Sequence, residues 1–183
     1  MMKKLLMLIA SISLVLAACS EDKEEKKVTP TEGTKSEETK TEETANPSGD
    51  MIKFYLSISQ SINAVDADLN AYENALAEEE PPVGADLKTM QDAAKTAAEK
   101  AAVKVEELKV PAELKDHQET IDSALNKITE AYRMKAEALA LAAEGEVVLD
   151  EANAKFEEAD AELNKVLEEL GLAGSSIYSE VSQ

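Results

Sequence analysis

The chain has 183 residues, room for one ordinary domain with extensions. Its 38 acidic and 19 basic side chains leave a net charge of −19, which excludes a nucleic-acid partner, because binding phosphates needs a basic footprint, and a basic face for anionic lipid. One cysteine excludes an internal disulfide and a cysteine-rich metal site, and one histidine excludes two-histidine metal motifs.

Met1 to Lys4 supplies a positive start, Leu5 to Leu16 an apolar run broken only by Ser11 and Ser13, and Ala17 and Ala18 small residues before Cys19. That order describes a secretory signal peptide over residues 1–18. The run is well short of the ~20 residues that a spanning helix needs. Leu16-Ala17-Ala18-Cys19 resembles the lipobox of bacterial lipoproteins. The resemblance implies cleavage before Cys19 and a diacylglyceryl group on its sulfur, so Cys19 is the expected lipid-attachment residue. Two acyl chains suffice for stable anchoring. The expected location is the extracytoplasmic face of the cell membrane, in a Gram-positive or, on the periplasmic side, a Gram-negative envelope.

Residues 20–50 hold ten acidic side chains, five lysines and six threonines, with Val28 and Ala45 as the only aliphatics. Such a segment buries too little apolar surface to offset its ordering entropy. With Cys19 it forms an expected disordered tether, 19–50, spanning about 30 Å as a flexible coil.

From Met51 the pattern is helical. Tyr55, Ile58, Ile62, Val65, Leu69, Tyr72 and Leu76 alternate spacings of three and four, the seam of one amphipathic helix. Pro81, Pro82 and Gly84 end it. A second helix is expected from Asp86, as N-cap, with an Ala-rich seam to Leu108. Pro111 opens a third, whose seam of Leu114, His117, Ile121, Leu125, Ile128, Tyr132 and Leu139 is broken by Lys135. Gly145 marks the next corner. The fourth helix carries Leu149, Ala152, Phe156, Ala159, Leu163, Val166 and Leu170, with Gly171 at a left-handed C-cap and Leu172 folding back.

Between Met51 and Leu170 every glycine and proline falls at a predicted corner. The expected fold class is all-α, an antiparallel up-down four-helix bundle over 51–172. An elongated three-helix coiled coil is the alternative. Residues 173–183 read as a frayed tail.

Asp66-Ala67-Asp68-Leu69-Asn70 opens like a calcium loop, but Ala71 replaces the turn glycine and Ala77 the bidentate glutamate. His117 reads as a half-buried structural histidine within reach of Glu113. Ser57, Ser59 and Ser61 have no base, Glu78 to Glu80 and Glu157-Glu158 read as solvated faces, and Tyr55, Tyr72, Tyr132 and Phe156 as core. No catalytic, metal or cofactor residues are assigned, and no cofactor is expected.

Val110-Pro111-Ala112-Glu113-Leu114, Glu130-Ala131-Tyr132, Ala152-Asn153-Ala154-Lys155-Phe156 and Glu168-Glu169-Leu170-Gly171-Leu172 resemble stretches of small all-helical lipoproteins of unknown function from Bacillus-type Gram-positive bacteria. The likeness covers about a third of the chain and implies no catalytic or binding residues. The expected function is a non-enzymatic interaction or envelope-associated module, partnered by the membrane through Cys19 and by an envelope protein or cell-wall component. Small-ligand or weak cation binding by the bundle, and cell-wall hydrolysis, are the alternatives.

Overall fold

The computed structural model describes residues 46–142 and 146–183. Within them every regular element is helical: α1 (Pro47–Asn63), α2 (Ala67–Leu76), α3 (Gly84–Glu106), a 3₁₀ turn (Ala112–His117), α4 (Gln118–Leu141), α5 (Asp150–Glu169) and α6 (Ile177–Val181). Cys19, the signal peptide 1–18, most of the tether and the corner at Gly145 lie outside the described residues.

The first helix starts four residues before Met51. The Asn46 side chain accepts a hydrogen bond from the Gly49 amide at 3.1 Å, and Pro47 stands in the first turn, where its missing N–H does no harm. Residues 47–50, read as the end of the tether, therefore belong to α1. The single long helix expected to Leu76 is in fact two. The amides of Val65 and Asp66 both bond to the Ile62 carbonyl, and the Asp66 carbonyl restarts the ladder by accepting from Leu69 and Asn70.

Gly84, at φ +62°, then starts α3 behind an extended Val83, so Asp86 lies in the first turn rather than at the N-cap. Ala94, Ala97, Ala98, Ala101 and Ala102 are all buried along α3, and small side chains let a neighbouring helix come close. Pro111 is followed by the 3₁₀ turn, which buries Leu114 and delays the third long helix to Gln118. At the other end of the chain, α5 closes in the predicted left-handed cap. Gly171 has φ +71°, its amide bonds to the Glu168 carbonyl, and the Leu172 amide reaches back to that of Leu167 at 2.8 Å, both bonds of a Schellman motif.

Cross-links fix how the long helices run. Gln91 near the start of α3 donates to the carbonyls of Leu139 and Ala142 at the end of α4, while Glu106 at the end of α3 meets Arg133. His117 beside the start of α4 meets Glu169 at the end of α5, and Tyr132 meets Phe156 further along. Both neighbouring pairs are antiparallel. The α2 helix packs on α3, and α1 touches α3, the 3₁₀ turn and α6. A Ser48 hydroxyl bond to the Leu170 carbonyl joins the start of α1 to the end of α5.

The expected frayed tail is instead structured. Ile177 and Val181 are buried in the core, and α6 lies against α1 and α5. Lys135, expected to interrupt the α4 seam, is buried within it at 3 % exposure.

Candidate functional site

Two polar features stand out against this apolar interior, and both lie around the break between α1 and α2. Asp66 occupies the N-cap position of α2 but makes no side-chain capping bond. The residue is 1 % exposed, and its carboxylate accepts a hydrogen bond from the Tyr132 hydroxyl at 3.4 Å. Two turns along α2, Glu73 accepts from Lys135 Nζ at 2.7 Å. Tyr132 and Lys135 are three residues apart on α4, so they share one face. The lysine ammonium sits 5.9 Å from the centroid of the Phe156 ring and 5.8 Å from that of Tyr178, within range of cation–π attraction. The Tyr178 ring thereby links α6 to the buried lysine.

Burial disfavours charge at this cluster. It pushes the Asp66 carboxyl up to about 6, against a partial opposing pull from its own backbone amide, the Tyr132 hydroxyl and Lys135. Burial, helped by the nearby Asp66 charge, raises the Tyr132 phenol well above its ordinary value. Tyr55, on α1, is pushed up to about 12 for the same first reason.

The second feature is the clasp around α6. The Asp160 carboxylate on α5 accepts from the Ser176 hydroxyl at 2.7 Å, the Ile177 amide at 2.8 Å and the Tyr178 amide at 3.4 Å. Ser176 in turn caps the Ser179 amide. At the other end, where a helix leaves its last carbonyls without partners, Asn63 and Asn70 donate to the carbonyls of Glu180 and Val181. One carboxylate holds the start of α6 and two amides hold its end.

A groove of about 430 Å³ runs beside the clasp, lined by Asn63, Asp66, Asn70, Asn74, Glu180 and Gln183 together with Ala67 and Ala71. A wider and more open one, about 700 Å³, follows the 3₁₀ turn and the first half of α4 from Lys115 to Glu130 and is lined by surface groups.

Among the residues singled out in the sequence, Tyr55, Tyr72, Tyr132 and Phe156 are buried. Ser57 and Ser59 give their hydroxyls to the carbonyls of Phe54 and Leu56. His117 Nδ1 lies 3.2 Å from the Glu169 carboxylate, so its partner is on α5 and not Glu113. Of the calcium-like run, Asp66 points inward while Asp68 is exposed. Among the described residues no three His, Cys, Asp or Glu side chains converge as metal ligands do. Sequence reasoning missed Lys135, Asp160 and the two asparagines, because each acquires its role from residues distant in the chain.

No protein-family model, curated protein or solved structure matches the chain.

Proposed function

We propose that this chain is a lipid-anchored, extracytoplasmic protein whose folded part is a non-enzymatic interaction module. The reading rests on one observation: the sole cysteine, Cys19, follows Leu16-Ala17-Ala18 at the end of a short apolar leader. Among the described residues no helix is long and apolar enough to cross a membrane. Anchoring through two acyl chains needs no such helix.

The same reading takes the folded part as an antiparallel up-down four-helix bundle with a broken first member, α1–α2. The two antiparallel pairs and the packing of α2 on α3 support it. Residues 51–183 carry 28 acidic and 12 basic side chains. A surplus of that size keeps a tethered domain soluble and repelled from anionic lipid.

The test is metabolic labelling with a radioactive fatty acid. The parent chain takes up label and sediments with membranes. Cys19→Ala takes up none and is released or stays as the uncleaved precursor. Equal labelling of the two removes the lipoprotein reading.

A further inference from the structure

We propose that the groove holding α6 is a helix-binding site, filled here by the chain's own C-terminal segment, and that α6 is a separable latch over it. A five-residue helix has almost no stability of its own, so the order of α6 comes from its seat. The seat uses the elements by which grooves bind short amphipathic helices. Asp160 satisfies amides at the N-terminal end, Asn63 and Asn70 satisfy carbonyls at the C-terminal end, and slots take Ile177 and Val181. The Tyr178 ring lies against Phe156, with centroids 5.4 Å apart.

The last stretch of the link to the rest of the chain, from Ala173 to Ser176, is thin by comparison. Residues 170–176 connect α5 to α6 and include Gly171 and Gly174. Leu170 and Leu172 pack on the core and Ser48 bonds the Leu170 carbonyl, but beyond Leu172 the link is held to α5 only by the bond from the Ser175 amide to Asn164 and the Ser176 contact among the described residues. The occupant that fits once α6 leaves is a partner helix of the same chemistry: a hydroxyl residue as N-cap, an aliphatic residue next, an aromatic after it, and a second aliphatic four residues beyond the first. It rests on the reading of the folded part as an interaction module and is independent of the anchor.

The probe is a fluorescent nonapeptide of the sequence Ser175–Gln183. The parent chain shows no binding, because its tethered latch competes at millimolar effective concentration. The full chain carrying Ile177→Asp and Val181→Asp, changes confined to the latch, keeps its long helices and binds the peptide saturably. Adding Asp160→Ala weakens that binding at least tenfold. Two results overturn the latch: a helical double variant that does not bind at millimolar peptide, or a double variant that loses all its helices together. Hydrogen exchange on the unmodified chain supplies a second measurement. The amides of Ile177–Val181 open at least tenfold more often than those of Ile128–Tyr132, and equal opening overturns the latch. None of these variants alters labelling at Cys19, so failure of the latch and failure of the anchor are distinguishable.

Discussion

Lys135 on α4 reaches Glu73 on α2 at 2.7 Å, and this ion pair is the single polar bridge between the two helices besides that from Tyr132 to Asp66 among the described residues. The lysine end is withdrawn from water while a quarter of the glutamate side chain remains exposed. Burying an ion pair costs desolvation that its attraction barely repays, whereas removing one partner leaves the other stranded. Lys135→Ala is therefore expected to cost about 3 kcal/mol. Lys135→Met combined with Glu73→Leu stays within about 1 kcal/mol of the parent or gains stability. Urea denaturation of the three proteins checks both.

Asp66 gives the domain an acid-side stability bonus. Its carboxyl titrates near 6 in the folded chain and near 3.8 when unfolded, so folding favours the protonated form. The contribution is fully present below pH ~3.8, declines as pH rises and is gone above about 6. Asp66→Asn keeps an acceptor for Tyr132 and removes the charge. It is expected to exceed the parent by up to roughly 3 kcal/mol at pH 7.5, with the gap closing below pH 4. A gap that is constant across that range would contradict this.

Phe156 is 1 % exposed and meets Tyr132 edge-to-face at 5.1 Å. Phe156→Ala is expected to destabilise the domain by about 3–5 kcal/mol. A change within ~0.5 kcal/mol in thermal or denaturant unfolding is what a surface position gives.

The first turn of α1 predicts where the folded part can be cut. A fragment from residue 46 keeps the Asn46 cap and the Ser48–Leu170 bond, while one from residue 51 loses both. The shorter fragment is expected to be less stable by about 1–2 kcal/mol, the size of a lost cap. Circular dichroism of both shows mostly helix, and the melting temperatures separate them.

The long helices were legible because their burial is periodic and their ends carry glycine or proline. Ala152, Phe156, Ala159, Leu163 and Val166 are all buried, as the three-four spacing of α5 predicts. The break at Ala64 to Asp66 left no such mark. It contains neither glycine nor proline, and Ala64 keeps a right-handed helical conformation, so the apolar rhythm passes through it unchanged. Lys135 reads as an interruption because a sequence shows the charge but not the carboxylate waiting on another helix. The α6 helix is too short for a period to register. Its fold depends on Asp160, Asn63 and Asn70, the last two more than a hundred positions away.

The Ser48–Leu170 bond also decides how the folded part bears load. Any pull transmitted through residue 46 enters at the first turn of α1 and is met there by a hydroxyl–carbonyl contact of 3.0 Å and by the buried Met51 side chain. Behind it α1 is held through Met51, Phe54, Tyr55, Ile58 and Ile62 and packs mainly on α3, the 3₁₀ turn and α6, whereas α4 packs more extensively on both α3 and α5. Tension is therefore expected to detach α1 toward Ala64 before it strains the three long helices. The break at Asp66, where the hydrogen-bond ladder already restarts, is the expected stopping point, with α1 paid out as extended chain and the rest of the domain keeping its shape.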